Sequence, residues 1–255
     1  MVELTFLGTG TSSGVPMIGC ECSICTSDDP RDRRSRTSAV VRVNGHTILI
    51  DTATELRLQS IAVGLKQIDA VLYTHSHADH VGGVDDLRRF NQLQQAHLPV
   101  YADAPTAAVL RERYGYAFED RFPFYGGKPD LILHEFDHPF SLFGIDIVPV
   151  PVKHGRWVIH GFRIGPLAYI TDAKEIPPSS LDLIRGVDVL VVNALRDQPH
   201  PTHLSLAEAL SVVEDIAPRR AYLVHLSHEL SHEVASANLP ANVEVAYDGL
   251  TIQTR

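Results

Sequence analysis

The stretch YTHSHADHVGG, Tyr73 to Gly83, sets His75, His77, Asp79 and His80 within six positions, directly behind the apolar run AVL at Ala70–Leu72. A solvated turn is the plainer reading of such a segment. Its position behind a hydrophobic strand and its content of three imidazoles and a carboxylate argue for a metal site instead. Residues two apart on an extended chain point the same way, so His75 and His77 can face one ion. Asp79 and His80 follow as the chain turns toward a helix, with Gly82 and Gly83 allowing a tight bend. They are expected on the other side of the same cavity, an arrangement that suits two ions rather than one.

Three further candidates stand at equivalent places. IDIVPVPVK runs into His154, PLAYIT into Asp172, and RRAYLV into His225. Loops beyond strand ends are where scaffolds gather functional groups. Each residue alone is a weak signal. Together with the first cluster they supply what two divalent ions about 3.5–4 Å apart require.

The scaffold follows from periodicity. Apolar, β-branched runs such as Val2–Leu7, Ser38–Val43, Thr47–Asp51, Ala70–Thr74, Ile145–Val152, Leu167–Thr171, Val187–Asn193 and Ala221–Val224 read as strands of a buried sheet. Asn44-Gly45 between two of them is a hairpin signal. Helical patterns fall at Thr54–Ala62, Asp85–Gln95, Thr106–Arg113, Ser205–Ile216 and Glu229–Ala237, with a capping box at Ser205-x-x-Glu208. We find no repeat and no linker-like break, so one α/β domain over 1–255 is expected, with helices packed outside sheet layers.

At 44% hydrophobic residues the chain can bury a large core, which excludes disorder. Its formal net charge of −9 disfavours polyanions, so nucleic acid is not an expected partner. No basic leader precedes an apolar stretch, and runs such as Val187–Leu195 are too short to span a bilayer. A cytoplasmic protein without membrane contact is expected.

The three cysteines all lie in Gly19–Cys25, spaced Cys-x-Cys-x2-Cys. Tetrahedral zinc wants a fourth ligand, and His228 lies three residues past His225. Free thiols and a redox pair are the alternatives. Three thiols in six residues favour a structural zinc held by Cys20, Cys22, Cys25 and His228 in a loop at about 19–26.

The HxHxDH motif with its distant histidine, aspartate and histidine resembles the metallo-β-lactamase superfamily. LIDTATEL extends the likeness, with Asp51 at that family's early strand-end aspartate. The resemblance implies an αββα four-layer sandwich. It implies that His75, His77 and His154 hold one ion, Asp79, His80 and His225 a second, and that Asp172 joins both. Asp51 would orient ligands without binding metal. The ions implied are manganese or zinc.

LGTGTSSGVPMIGCECSIC, VHLSH and YDGLTI further resemble the PhnP phosphodiesterases of the carbon–phosphorus lyase pathway. In that group the cysteines and His228 match structural zinc ligands, and the chains form homodimers. The implied reaction is hydrolysis of 5-phosphoribosyl 1,2-cyclic phosphate to ribose 1,5-bisphosphate, within phosphonate metabolism. Asp79 would help hold the attacking water. His203, in HPTHLSLAEA, resembles the group's phosphate-contacting catalytic histidine and sits beside a helix N-terminus that favours anions.

Rival readings are a nuclease or tRNA 3′-processing enzyme, a lactone or thioester hydrolase, a non-catalytic metal binder and an iron oxidoreductase. Arg156, Trp157 and His160 in HGRWVIHGF have no place in the resemblance. Asp85-Asp86 and the Arg31–Arg36 run read as solvated faces, the latter alternatively steering a phosphorylated substrate.

Overall fold

Strand alternation sorts the chain into layers. The computed structural model describes residues 1–119 and 127–255. Its strands are β1 (Glu3–Gly8), β2 (Ser38–Val43), β3 (His46–Ile50), β4 (Ala70–Leu72), β5 (Leu98–Ala102) and β6 (Leu131–Glu135). There follow β7 (Phe140–Leu142), β8 (Ile145–His154), β9 (Trp157–Ile164), β10 (Leu167–Ile170), β11 (Val189–Asn193), β12 (Arg220–Val224), β13 (Val243–Val245) and β14 (Thr251–Gln253). Two seven-stranded sheets result, ordered β14-β1-β2-β3-β4-β5-β6 and β13-β12-β11-β10-β9-β8-β7. The first half of the chain builds one sheet and the second half the other, except that β14 returns to pair with β1.

The helices are α1 (Leu56–Ala62), α2 (Ala78–Val81), α3 (Arg88–Gln94), α4 (Ala104–Tyr114), α5 (Pro178–Ile184), α6 (Leu206–Ile216) and α7 (His232–Ala237). Because successive strand residues face opposite ways, Val41, Ile48 and Leu72 meet Ile147, Phe162 and Tyr169 between the sheets. Val40, Leu49 and Val71 turn outward onto Leu56 of α1, Phe90 of α3 and Leu110 of α4. On the second sheet Val152, Ile170 and Val192 pack under Ile184 of α5 and Ala209 and Val213 of α6. Helix, sheet, sheet, helix is the expected αββα order.

The Asn44-Gly45 hairpin forms, with φ of 50° and 81° at its two turn residues. The Ser205–Glu208 capping box is present in full. Several elements exceed or escape the sequence reading. The β8–β9 hairpin is longer than expected, so His154 is the last residue of its strand rather than the residue beyond it. The short strands β6, β7 and β14 and the helix α5 are additional. Each is too brief for a periodic pattern to show, and Ile132 of β6 remains 47% exposed.

Gly82 and Gly83 serve a different purpose from the one expected. Their φ values are −64° and −92°, open to any residue. A Cβ at Gly83, however, would lie 2.3 Å from the Ala53 carbonyl oxygen, so close approach to the Asp51–Thr54 loop is what demands glycine.

The Arg31–Arg36 run is a solvated face only in part: Arg31 and Arg33 are exposed, but Asp32 and Arg34 are not. The Arg34 side chain is fully buried, 3.1 Å from Asp32, and donates to the carbonyls of Ser227 and Leu230. Asp32 also accepts from the His232 amide. A charge is tolerated there because paired carboxylate and carbonyl acceptors replace water. The clamp ties the segment after the cysteine loop to the segment that carries His228.

Candidate metal centre

Four parallel or hairpin-linked strands deliver their C-terminal ends to one edge of the sandwich. His75 follows β4, His154 ends β8, Asp172 follows β10 and His225 follows β12. Three buried residues leave their strands in the left-handed region, at φ near 60°: Asp51, Asp172 and His225. Such backbone costs roughly 1 kcal/mol or more for a residue with a Cβ and clusters where a side chain must be aimed.

The side chains converge in two sets. Donor atoms of His75, His77 and His154 all lie within 4.8 Å of one another, as do those of Asp79, His80, Asp172 and His225. All seven ligands expected from the sequence are brought together. Asp172 adjoins both sets: its Oδ2 lies 3.3 Å from His80 Nε2 and its Oδ1 3.1 Å from His225 Nε2 within the second, and it also falls within 4.8 Å of His154 of the first. His203 joins as well, its Nε2 3.1 Å from Asp172 Oδ1.

Hydrogen bonds at the outer ring nitrogens define which nitrogens point inward with a lone pair. A carbonyl only accepts, so His154 Nδ1 donates to the carbonyls of Asp172 and Thr202, at 2.8 and 2.9 Å, and leaves Nε2 free. Likewise His80 Nδ1 donates to Asp51 Oδ2 at 2.7 Å. The Thr74 hydroxyl gives its proton to Asp51 at 2.7 Å and therefore accepts from His75 Nδ1 at 3.0 Å. Asp51 thus belongs to neither donor set; it touches His80 directly and His75 through Thr74, and orients both.

Two of the inward nitrogens are left without a hydrogen bond. His80 Nε2 and His225 Nε2 are buried with no hydrogen-bond partner among the described residues, although carboxylate oxygens lie close but off the bonding direction. His75 Nε2 faces His77 Nδ1 at 3.0 Å. Orphaned imidazole nitrogens around acidic oxygens are the chemistry of a cation site, and the donor set fits divalent ions.

Electrostatics agree. Burial works against an ionised Asp172, yet His225, His80 and a hydrogen bond from His203 hold its carboxyl well below the ordinary range. Burial also opposes a charged His80, but Asp172, Asp51 and Asp79 raise it well above the usual imidazole value. His203 goes the other way. Burial lowers it to about 4 against the pull of Asp172, so it is neutral at neutral pH.

The second donor cluster lies at the cysteine loop. Cys20 Sγ and Cys22 Sγ are 3.3 and 3.4 Å from His228 Nδ1, and Cys25 Sγ completes a set within 4.8 Å. Tetrahedral zinc with bonds of about 2.3 Å to sulfur and 2.0 Å to nitrogen sets those atoms about 3.5 Å apart, so the four residues fit it. The Cys25 amide, aided by His228, lowers the Cys22 thiol to about 6.

Comparison with known proteins agrees with this architecture. A family model described as a beta-lactamase superfamily domain matches residues 46–226, and the chain belongs to the metallo-β-lactamase superfamily. A solved structure described as a new diphosphatase from the PhnP family is 41% identical, covers 100% of this chain and 98% of its own, and superposes with a TM-score of 0.93, which places the chain in the PhnP group. A protein named octanoyltransferase from Porphyromonas gingivalis is 38% identical over 249 residues, 96% of this chain; the chain spans about half that relative's length, 50%. A ribonuclease Z from a Mycobacterium species is 29% identical over 220 residues, covering 77% of this chain and 70% of its own.

Sequence reasoning missed the hydroxyls of Thr74 and Thr171, the latter donating to Asp172 at 2.6 Å. It also left Trp157 and His160 without a role. Trp157 stands opposite His154 in the hairpin register, and its ring centroid is 4.9 Å from that of His77. Only the pairing of β8 with β9 brings it there. His160 lies 3.3 Å from Asp103, the cap of α4. Arg156 is exposed in the hairpin turn. No helix among the described residues is long and apolar enough to cross a membrane.

Proposed function

We propose that this metallo-β-lactamase-fold hydrolase is a phosphodiesterase acting on a small cyclic phosphodiester. The observation that carries the reading is the convergence of seven side chains, four of them at strand ends, in two adjoining sets, with neutral His203 against their shared carboxylate. The resemblance supplies 5-phosphoribosyl 1,2-cyclic phosphate, with ribose 1,5-bisphosphate as product.

In this reading His75, His77 and His154 hold one divalent ion, Asp79, His80 and His225 another, and Asp172 both. Manganese or zinc bound there would bring a water's pKa toward neutrality and polarise phosphoryl oxygens. Asp79 holds the attacking water. Asp172 can only accept, so His203 carries its proton on Nε2, while the Thr202 hydroxyl, 2.9 Å away, faces Nδ1. That Nε2–H is placed to hydrogen-bond a phosphoryl oxygen and stabilise its charge; only the imidazolium form of His203 could protonate the departing oxygen. Cys20, Cys22, Cys25 and His228 hold a structural zinc outside the reaction.

A second reading, hydrolysis of a diphosphate, is favoured by the PhnP-family diphosphatase at 41% identity. The transferase named among the relatives has half its length outside the match, and its activity is not carried over. Ribonuclease activity is disfavoured by the net charge of −9.

The test is turnover by metal-loaded protein on 5-phosphoribosyl 1,2-cyclic phosphate, a 2′,3′-cyclic nucleotide, bis-(p-nitrophenyl) phosphate, a nucleoside diphosphate ester and a short RNA. Selective cleavage of the small diesters supports the proposal. Cleavage of the diphosphate alone supports the second reading, and no turnover of any of them overturns both. Sedimentation checks the homodimer that the same likeness implies.

A further inference from the structure

Beside the candidate metal centre lies a cavity of about 440 Å³ that the roles above leave unused. His75 forms one wall. Pro105 and Val109 of α4 form another, Trp157 and Val158 of β9 a third, and the Asp103 carboxylate lines it as well. Trp157 and Val158 keep 47% and 59% of their surface exposed. Large apolar side chains left in water at the rim of a reactive site mark a place where a ligand covers them.

The hairpin makes this feature part of the site. The tight turn at Gly155-Arg156, with Gly155 at φ 59°, sets Trp157 directly opposite His154, so both side chains leave the same face of the ribbon. The indole thereby packs against His77, and the half-exposed Trp157 lines the cavity.

Charge narrows the occupant. Among the described residues, no lysine or arginine lines the cavity. Arg113 is exposed on α4 and donates to the Ser76 carbonyl at the rim. Beside Ser76 and Thr106 the lining carries the Asp103 carboxylate, whose Oδ1 accepts the Thr106 amide at 3.0 Å and whose Oδ2 lies 3.3 Å from His160. A carboxylate has about four lone-pair sites, so acceptor capacity remains. The carboxylate disfavours an anion in direct contact with it. A flat, neutral group carrying an N–H or O–H donor can stack on the indole and donate to Asp103.

We propose that this cavity receives the organic part of the substrate and selects a flat, uncharged, hydrogen-bond-donating ring of the nucleobase type, stacked on Trp157. The proposal rests on the phosphoester reading of the neighbouring site and, within that class, favours a ring-bearing ester over the base-free ribosyl cyclic phosphate that the resemblance supplies. A ribosyl ester with no ring would leave the cavity unfilled.

The experiment compares ligands that share a phosphate and a sugar and differ in the ring. Calorimetric titration of the metal-loaded protein with adenosine 5′-monophosphate and with ribose 5-phosphate is expected to show the nucleotide binding about 10-fold tighter, the worth of one base–aromatic stack. Trp157→Ala should abolish that difference, and Trp157→Phe should keep most of it. The chain has a single tryptophan, so the nucleotide should also quench wild-type indole fluorescence more than the sugar phosphate does. In turnover, bis-(p-nitrophenyl) phosphate should lose about 10-fold more kcat/KM in Trp157→Ala than methyl p-nitrophenyl phosphate. If diesters are cleaved but the two monophosphates bind alike, or Trp157→Ala affects both diesters equally, the pocket assignment is overturned while the reaction class stands. If no phosphoester is bound or cleaved, both fall.

Discussion

His225 and His228 are three residues apart, yet they serve two differently built clusters. His225 is fully buried at the end of β12, in a left-handed backbone conformation held by the sandwich around it. His228 is half-buried in a loop and meets three half-buried cysteines on another loop 200 positions earlier in the chain, with the buried Arg34–Asp32 pair behind it. The first cluster is organised by the fold before any ion arrives, through Asp51, Thr74 and the carbonyls that orient its imidazoles. The second is two loops tied by the Arg34–Asp32 clamp, and in the proposed reading its zinc would add to that tie. Metal at the first site should therefore govern turnover, and metal at the second should govern stability.

The strongest way to break that distinction is Asp172→Ala. It should lower kcat/KM on the best diester by about 10³-fold, comparable to removing a principal electrostatic element of a site. Metal analysis should show bound ions lost, and activity within 10-fold of wild type would overturn the joining role. His203→Ala should lower kcat by about 10²-fold and leave metal content unchanged. Loss of metal in that variant would make His203 a ligand instead, which its place within 4.8 Å of His154 and Asp172 permits.

Asp51→Asn should weaken retention of the ions by about 10- to 100-fold, read by competition with a chelator, because His80 and His75 lose the partner that sets their orientation. Cys22→Ala sharpens the other half of the comparison. One zinc should be lost per chain and Tm should fall by about 10 °C, with turnover per folded molecule falling far less than in Asp172→Ala. Chelation should lower the Tm of the wild type and add little in the variant; an unchanged Tm in Cys22→Ala would remove the structural zinc.

The smallest effect lies far from both clusters. Arg219 and the Arg255 amide bring the Asp188 carboxyl from 3.8 to about 2, Arg219 contributing most. A depressed carboxyl stabilises the fold above its unfolded value and loses that contribution as pH falls from about 4 to about 2. Asp188→Asn should lower Tm by about 1–2 °C at neutral pH and by nothing near pH 2. An equal difference at both pH values would show that packing, not charge, is at work there.

The candidate metal centre was legible in the sequence because each of its parts is local. A strand followed by HxHxDH and three more strands ending in histidine or aspartate need no knowledge of pairing order. The cysteine spacing was legible for the same reason. Arg34 was misread because nothing around RDRRSR signals burial; its acceptors come from Ser227 and Leu230, nearly 200 residues away. Trp157 was left unassigned because only the hairpin register sets it opposite His154. Gly83 was recognised as necessary for the wrong cause, since the obstructing Ala53 carbonyl belongs to a separate loop.

Sequence alone determined which side chains can hold ions, that strands present them, and that helices cover the sheets, because spacing and alternation act over a few residues at a time. Tertiary structure decided which nitrogen of each histidine faces inward, which backbone is twisted left-handed to aim Asp51, Asp172 and His225, and which apolar wall adjoins the site. Those features arise from contacts between chain segments far apart in sequence, where burial and unmatched hydrogen bonds, not local propensity, set the free energy.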